Sequence, residues 1–120
     1  MFLELAHTKI EAYSVTRSLV VECYKLTNTF PADERFGLTQ QVRRAAVSVH
    51  LNLAEGCSRK SEVERKRYFE ISRGSLIEID AALDVASELG YCKKENLQPL
   101  GNCMVNCFKN LSALIKSINH

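Results

Sequence analysis

Apolar residues recur along the chain at steps of three and four, the spacing of one helical face, in four successive segments. In the first segment, Ala12, Val15, Leu19, Cys23, Leu26 and Phe30 form the apolar stripe, and Glu11, Ser14, Ser18, Glu22 and Lys25 fall opposite it. The pattern predicts a helix from about Lys9 to Thr29. Pro31 stops it, because proline disfavours helical geometry in the residue before it. Residues 30–38 then read as a connector, with Gly37 as its turn residue.

The second helix is predicted from Thr39, which supplies an N-cap, to Glu55, with Gly56 as the left-handed glycine that ends it. Leu38, Val42, Ala45, Val49 and Leu53 make its stripe, but Ala46, Val47 and Leu51 place apolar groups on its other sides. A helix with so little polar surface is covered on several faces, either at the centre of a bundle or at a subunit interface. The third helix opens on Ser61-Glu62-Val63-Glu64, a capping box, and runs to Leu89 before Gly90. Its length is then about 43 Å at 1.5 Å per residue. Phe69, Ser72, Leu76, Ile79, Leu83 and Ala86 form its inner face. Gly74 in its middle costs about 1 kcal/mol against alanine, which the close approach of another helix would explain. The fourth helix is predicted from Lys94 to Ile118, with Leu97, Leu100, Met104, Phe108, Leu111, Ile115 and Ile118 inside and Pro99 near its first turn. No segment alternates with period two. Four helices on short connections predict an all-α fold, an antiparallel up-down four-helix bundle forming one domain over residues 1–120.

Charge changes this picture locally. Residues 43–73 carry eight Lys/Arg (Arg43, Arg44, Arg59, Lys60, Arg65, Lys66, Arg67, Arg73) against four acids, so they sum to +4, whereas the whole chain is only +2. Arg59-Lys60 and Arg65-Lys66-Arg67 flank the turn into the third helix and would gather at one end of the bundle. Concentrated positive charge attracts phosphate backbones by counterion release. The competing reading is a solvated turn with Glu62 and Glu64 interspersed, and on charge alone that reading is preferred. Asn52 and Glu55 are polar residues in an otherwise apolar helix. They read as a buried hydrogen-bonded network with Arg43 or Arg44 that fixes helix register, rather than as a ligand site.

Enzymatic chemistry finds little footing. The three histidines are His7, His50 and His120, and no nucleophile has a recognisable local context. Glycine-rich phosphate loops and Glu-x-x-His motifs are absent, so neither a catalytic site nor a cofactor is expected. Five cysteines, an odd number without framework spacing, read as reduced thiols of a cytoplasmic protein. Cys103 and Cys107 would share a helix face, which is half of a zinc site, but no second pair completes it and no metal is expected. The first residues lack a basic, apolar leader pattern, and no apolar run approaches the roughly 20 residues that cross a bilayer, so no membrane partner is expected.

Phe30-Pro31, then Glu34-Arg35-Phe36-Gly37-Leu38-Thr39-Gln40-Gln41-Val42-Arg43-Arg44-Ala45-Ala46-Val47-Ser48-Val49 and Asn52-Leu53-Ala54-Glu55-Gly56 resemble the signature of the 23S rRNA intervening sequence protein family. Arg67-Tyr68-Phe69, Ser75, the stretch from Glu78 to Leu89 and the leucine-rich last helix are similar too. The resemblance covers nearly the whole chain, with Val49 and Leu53 where the pattern has isoleucine. It implies a bacterial four-helix bundle that assembles into a ring, usually a homopentamer, and it establishes no biochemical activity. A related fold binds nucleic acid and a reverse transcriptase as a basic pentameric barrel, which moves the basic cluster towards function by analogy of fold. The expectation is a non-enzymatic homo-oligomer that binds structured RNA through Arg43, Arg44, Arg59, Lys60, Arg65, Lys66 and Arg67. The alternative is a structural or protein-interaction module whose basic cluster only keeps it soluble.

Overall fold

The computed structural model describes residues 1–118, so His120 lies outside the described residues. Four helices account for most of them: α1 (Glu11–Thr27), α2 (Leu38–Ser58), α3 (Glu62–Glu88) and α4 (Lys94–Ile118). Short 3-10 turns at Ala6–Lys9 and Ala32–Glu34 precede α1 and α2, and no strand occurs among the described residues. Each helix packs against its two neighbours in sequence around a closed square, α4 returning to α1. The bundle is antiparallel: going up α2, Ser48, Val49 and Gly56 meet Ser75, Ser72 and Phe69, in falling order, on α3.

The predicted inner faces of α1, α2 and α3 are those that pack. Leu19, Cys23, Val42, Val49, Leu53 and Ile79 are fully buried, and Phe69 is nearly so. Small residues let α2 and α3 approach most closely: Ala45, Ala46 and Gly56 on α2, Ser72 and Ser75 on α3. The Ser72 hydroxyl spends itself on the Val49 carbonyl at 2.6 Å, so this close seam buries no orphaned hydroxyl there.

Several boundaries and faces differ from the expectation, each for a local reason. α1 starts at Glu11, two residues late, because Ala6–Lys9 forms a separate turn broken by extended Ile10. Gly56 does not end α2. It lies buried inside the last turn, where a Cβ would sit 2.7 Å from the Phe69 ring and 3.1 Å from Tyr68 Cβ. It is therefore a glycine of close packing, and the helix runs on to Ser58. Gly90 does take the left-handed conformation, with φ of 81°, directly after α3. Gly74 has open space around it, so none of the described residues makes the close approach expected there. On α4 Cys107 and Leu111 are fully buried, while Phe108 is 43% exposed at the α3 edge under the Arg73 guanidinium. Pro99 falls in the second turn, not the first, where it has no amide to offer the Glu95 carbonyl.

Glu34 holds the connector in place. One carboxylate oxygen accepts from the Leu38 amide at the start of α2 (3.1 Å), and the other accepts from the Tyr91 hydroxyl (2.8 Å) of the α3–α4 connection. These two bonds keep its carboxyl below the usual carboxylate range. Gly37 leaves room for this cap, since a Cβ there would collide with the Glu34 carboxylate.

Candidate nucleic-acid interface

The turn between α2 and α3 is only three residues long, so whatever charge flanks it must crowd together. Arg59 leaves α2 in extended conformation, and Ser61 caps α3 by accepting the Glu64 amide at 3.3 Å. Only that half of the expected capping box forms among the described residues. The Glu64 carboxylate reaches Arg59 instead, at 3.8 Å.

Arg59 is the staple of this turn. It donates to Glu55 at 2.9 Å, lies 5.0 Å from the centre of the Tyr68 ring and reaches the Tyr68 hydroxyl at 3.4 Å. Its Nε is buried without a partner. Two carboxylates and an aromatic face thus absorb its charge. Pairs as exposed as these contribute up to about 1 kcal/mol each, so the staple orders the turn more than it stabilises the fold. Lys60 and Arg67 are exposed, and Arg65 and Lys66 are half-buried. None of the four forms an ion pair among the described residues. Arg65 lies close enough to the Cys57 thiol to oppose the upward push that burial gives it.

The structure divides the seven cations expected to act together. Arg43 and Arg44 lie some 16 positions back along α2, about 24 Å from Arg59 at 1.5 Å per residue. Arg43 donates from Nε to Thr27 Oγ1 (2.8 Å) and from its terminus to Asn28 Oδ1 (2.9 Å), with its guanidinium 4.6 Å from the centre of the Tyr24 ring. It ties α1 to α2. Arg44 is exposed and opens on a groove of about 560 Å³ on the outer side of α2. Arg35 lines that groove as well and was missed by sequence reasoning. Only the fold of the connector brings it beside Arg44.

The expected buried network also needs correction. Asn52 is half-buried and donates to the Ser48 carbonyl (2.9 Å) and hydroxyl (3.0 Å), and Ser48 meets Ser75 at 2.8 Å. Glu55 is not part of it: it is exposed and bonded to Ser58 and Arg59. Neither Arg43 nor Arg44 joins either group. Position 55 falls on the solvent side of α2, while the next residue, Gly56, takes the contact with Phe69 of α3.

His50 sits between α1 and the N-terminal turn. Its Nδ1 is hydrogen-bonded to Thr16 Oγ1 at 2.8 Å, and that hydroxyl also lies 3.2 Å from the Tyr13 carbonyl. Burial, then Arg17, then His7 lower its pKa. Cys103 and Cys107 both point at the Val15 carbonyl, at 3.7 and 3.6 Å. Burial pushes the Cys23 thiol up to about 12 and Cys107 higher still, so these are packed, unreactive thiols. No group of three His, Cys, Asp or Glu side chains that could hold a metal occurs among the described residues. Nor, among them, is any helix long and apolar enough to cross a membrane.

A family model for the 23S rRNA-intervening sequence protein matches residues 8–113. The fold is similar to a crystal structure of a protein with unknown function from the S23 ribosomal protein family of Bacteroides thetaiotaomicron VPI-5482. The two share 18% identity over 88% of this chain and 98% of that one, with a TM-score of 0.80. At that identity the likeness speaks for the fold. No curated protein matches significantly.

Proposed function

The chain belongs to the 23S rRNA-intervening sequence protein family, and from that footing we propose that it is a non-enzymatic, cytoplasmic homo-oligomer that binds RNA through the basic end of its α2–α3 hairpin. The observation that supports the reading is the division of labour at the turn. Arg59 takes up Glu55 and Glu64, leaving Lys60, Arg65, Lys66 and Arg67 without ion pairs, within eight positions and at one end of the bundle. Unpaired cations on a rigid turn meet phosphates at little cost in ordering. They carry no base-reading geometry, so the binding recognises charge and backbone shape rather than sequence. The homopentamer that the family resemblance implies would repeat this end five times around a ring, raising avidity for one extended strand.

Replacing Lys60, Arg65, Lys66 and Arg67 by glutamine tests the assignment. Affinity for a structured RNA, followed by fluorescence anisotropy at low salt, is expected to fall about tenfold or more with unchanged helicity and mass. Unchanged affinity would remove the site. A second reading is favoured by the exposed apolar residues Leu51, Ile77, Val105 and Phe108, which a structural or protein-interaction module would cover. Under it the glutamine variant keeps its cellular function.

A further inference from the structure

The groove on the outer side of α2 gathers cations and aromatic rings. Arg35, Arg43 and Arg44 line it with Tyr24 and Phe36, and no Asp or Glu among the described residues does. Its volume of about 560 Å³ falls in the range of small-molecule sites, about 300–1,000 Å³. Arg35 and Arg44 are exposed, and neither forms an ion pair among the described residues. Arg43 is tied to Thr27 and Asn28, so it adds charge from a fixed place in the wall. Guanidinium groups with no acid beside them favour an anion, and their planar forks suit phosphate oxygens.

The rest of the lining suits a flat ring. Phe36 is 78% exposed on the connector, with the Arg35 guanidinium 4.9 Å from the centre of its ring. Exposed Leu51 adds apolar surface on α2. A phosphate alone would leave these side chains in water, whereas a nucleobase can stack on the phenyl face. Gln40 brings a side-chain amide to the same groove, and Asn52, whose NH2 goes to Ser48, brings an amide carbonyl. Such amides pair with the edge of a purine.

The cations of this groove are also cut off from those of the basic end. A nucleic-acid strand is tracked by a continuous basic groove. On α2 no Lys or Arg occurs between Arg44 and Arg59, so the groove suits one nucleotide rather than a passing strand.

We propose that the α2 groove binds a free purine nucleotide, its base on Phe36 and Leu51 and its phosphate held by Arg35 and Arg44. The site is separate from the basic end of the α2–α3 hairpin and stands or falls independently of RNA binding there.

Adenosine monophosphate titrated into the intact protein at low salt, followed by calorimetry, tests it. Saturable binding is expected with a Kd of about 1 mM or tighter. Adenosine, which lacks the phosphate, and ribose 5-phosphate, which lacks the base, are each expected to bind about tenfold more weakly or worse. Arg44→Gln and Phe36→Ala should each lose about tenfold or more at unchanged helicity, since both side chains are exposed and neither supports the core. The glutamine variant of Lys60, Arg65, Lys66 and Arg67 should bind the nucleotide as the unaltered chain does. Absence of saturable binding overturns the proposal, whether the groove is idle or covered by another copy. Ribose 5-phosphate that binds as tightly as the nucleotide reduces the groove to a general anion site and overturns it as well. Loss of binding in the glutamine variant alone moves the nucleotide to the basic end. An unpaired oligoribonucleotide that binds through Arg44 and Phe36 while the free nucleotide does not gives the groove to RNA. Either of these last two results also overturns the proposal.

Discussion

His50 shares a hydrogen bond with Thr16 through one ring nitrogen and lies tilted against the Tyr13 ring, centroids 4.6 Å apart, in a site that admits a neutral imidazole more readily than a cation. Burial, Arg17 and His7 all press its pKa below the ordinary 6.5. The folded chain therefore binds this proton less readily than the unfolded chain. The associated stability is whole above 6.5 and is lost progressively as pH falls from there towards the folded value. A denaturant midpoint measured at about pH 7.5 and again at about pH 5.5 should fall on acidification, and His50→Gln should flatten that fall. An equal fall in both proteins would place the titration elsewhere. The glutamine can keep a bond to Thr16, so the difference between the two pH values, not the level, is the readout.

Between elements, the α2–α3 seam sets the geometry of the basic end. Gly56 touches the Phe69 ring, which is 1% exposed and has nowhere to retreat. Gly56→Ala gains about 1 kcal/mol of helix propensity but forces that ring, an overpacking that costs about 1–3 kcal/mol. A net loss is expected in chemical denaturation, and adding Phe69→Leu should return part of it. Strictly additive effects would show that the two residues are not coupled. This glycine also shows what periodicity can and cannot convey. Leu19, Val42, Val49, Leu53 and Ile79 announce the core because burial of one helical side repeats every three to four residues. A glycine at a helix end and a glycine under a phenyl ring look identical in a sequence, since only the partner helix separates them. Phe108 and Cys107 fail for a related reason. Both fit a heptad-like step, and only the packed helices show that the larger residue lies outward, beside Arg73 at the α3 edge. The basic turn was legible as adjacent charges, whereas the Arg59 staple and the grouping of Arg35 with Arg44 need the fold.

For the whole molecule, the consequential feature is where charge is left over. The net charge of +2 is small, yet the unpaired cations at the α2–α3 turn lie together at one end of the bundle. In the proposed homo-oligomer, Lys60, Arg65, Lys66 and Arg67 of every copy would stand at one rim. Such a rim would act as a single phosphate-attracting surface, its strength scaling with the number of copies. The most direct test is the salt dependence of structured-RNA binding by the intact, unaltered protein. If four side chains per engaged copy neutralise phosphates, log affinity falls linearly with log salt, with a slope of about −3 or steeper. Absence of binding at low salt, or binding indifferent to salt, contradicts the account.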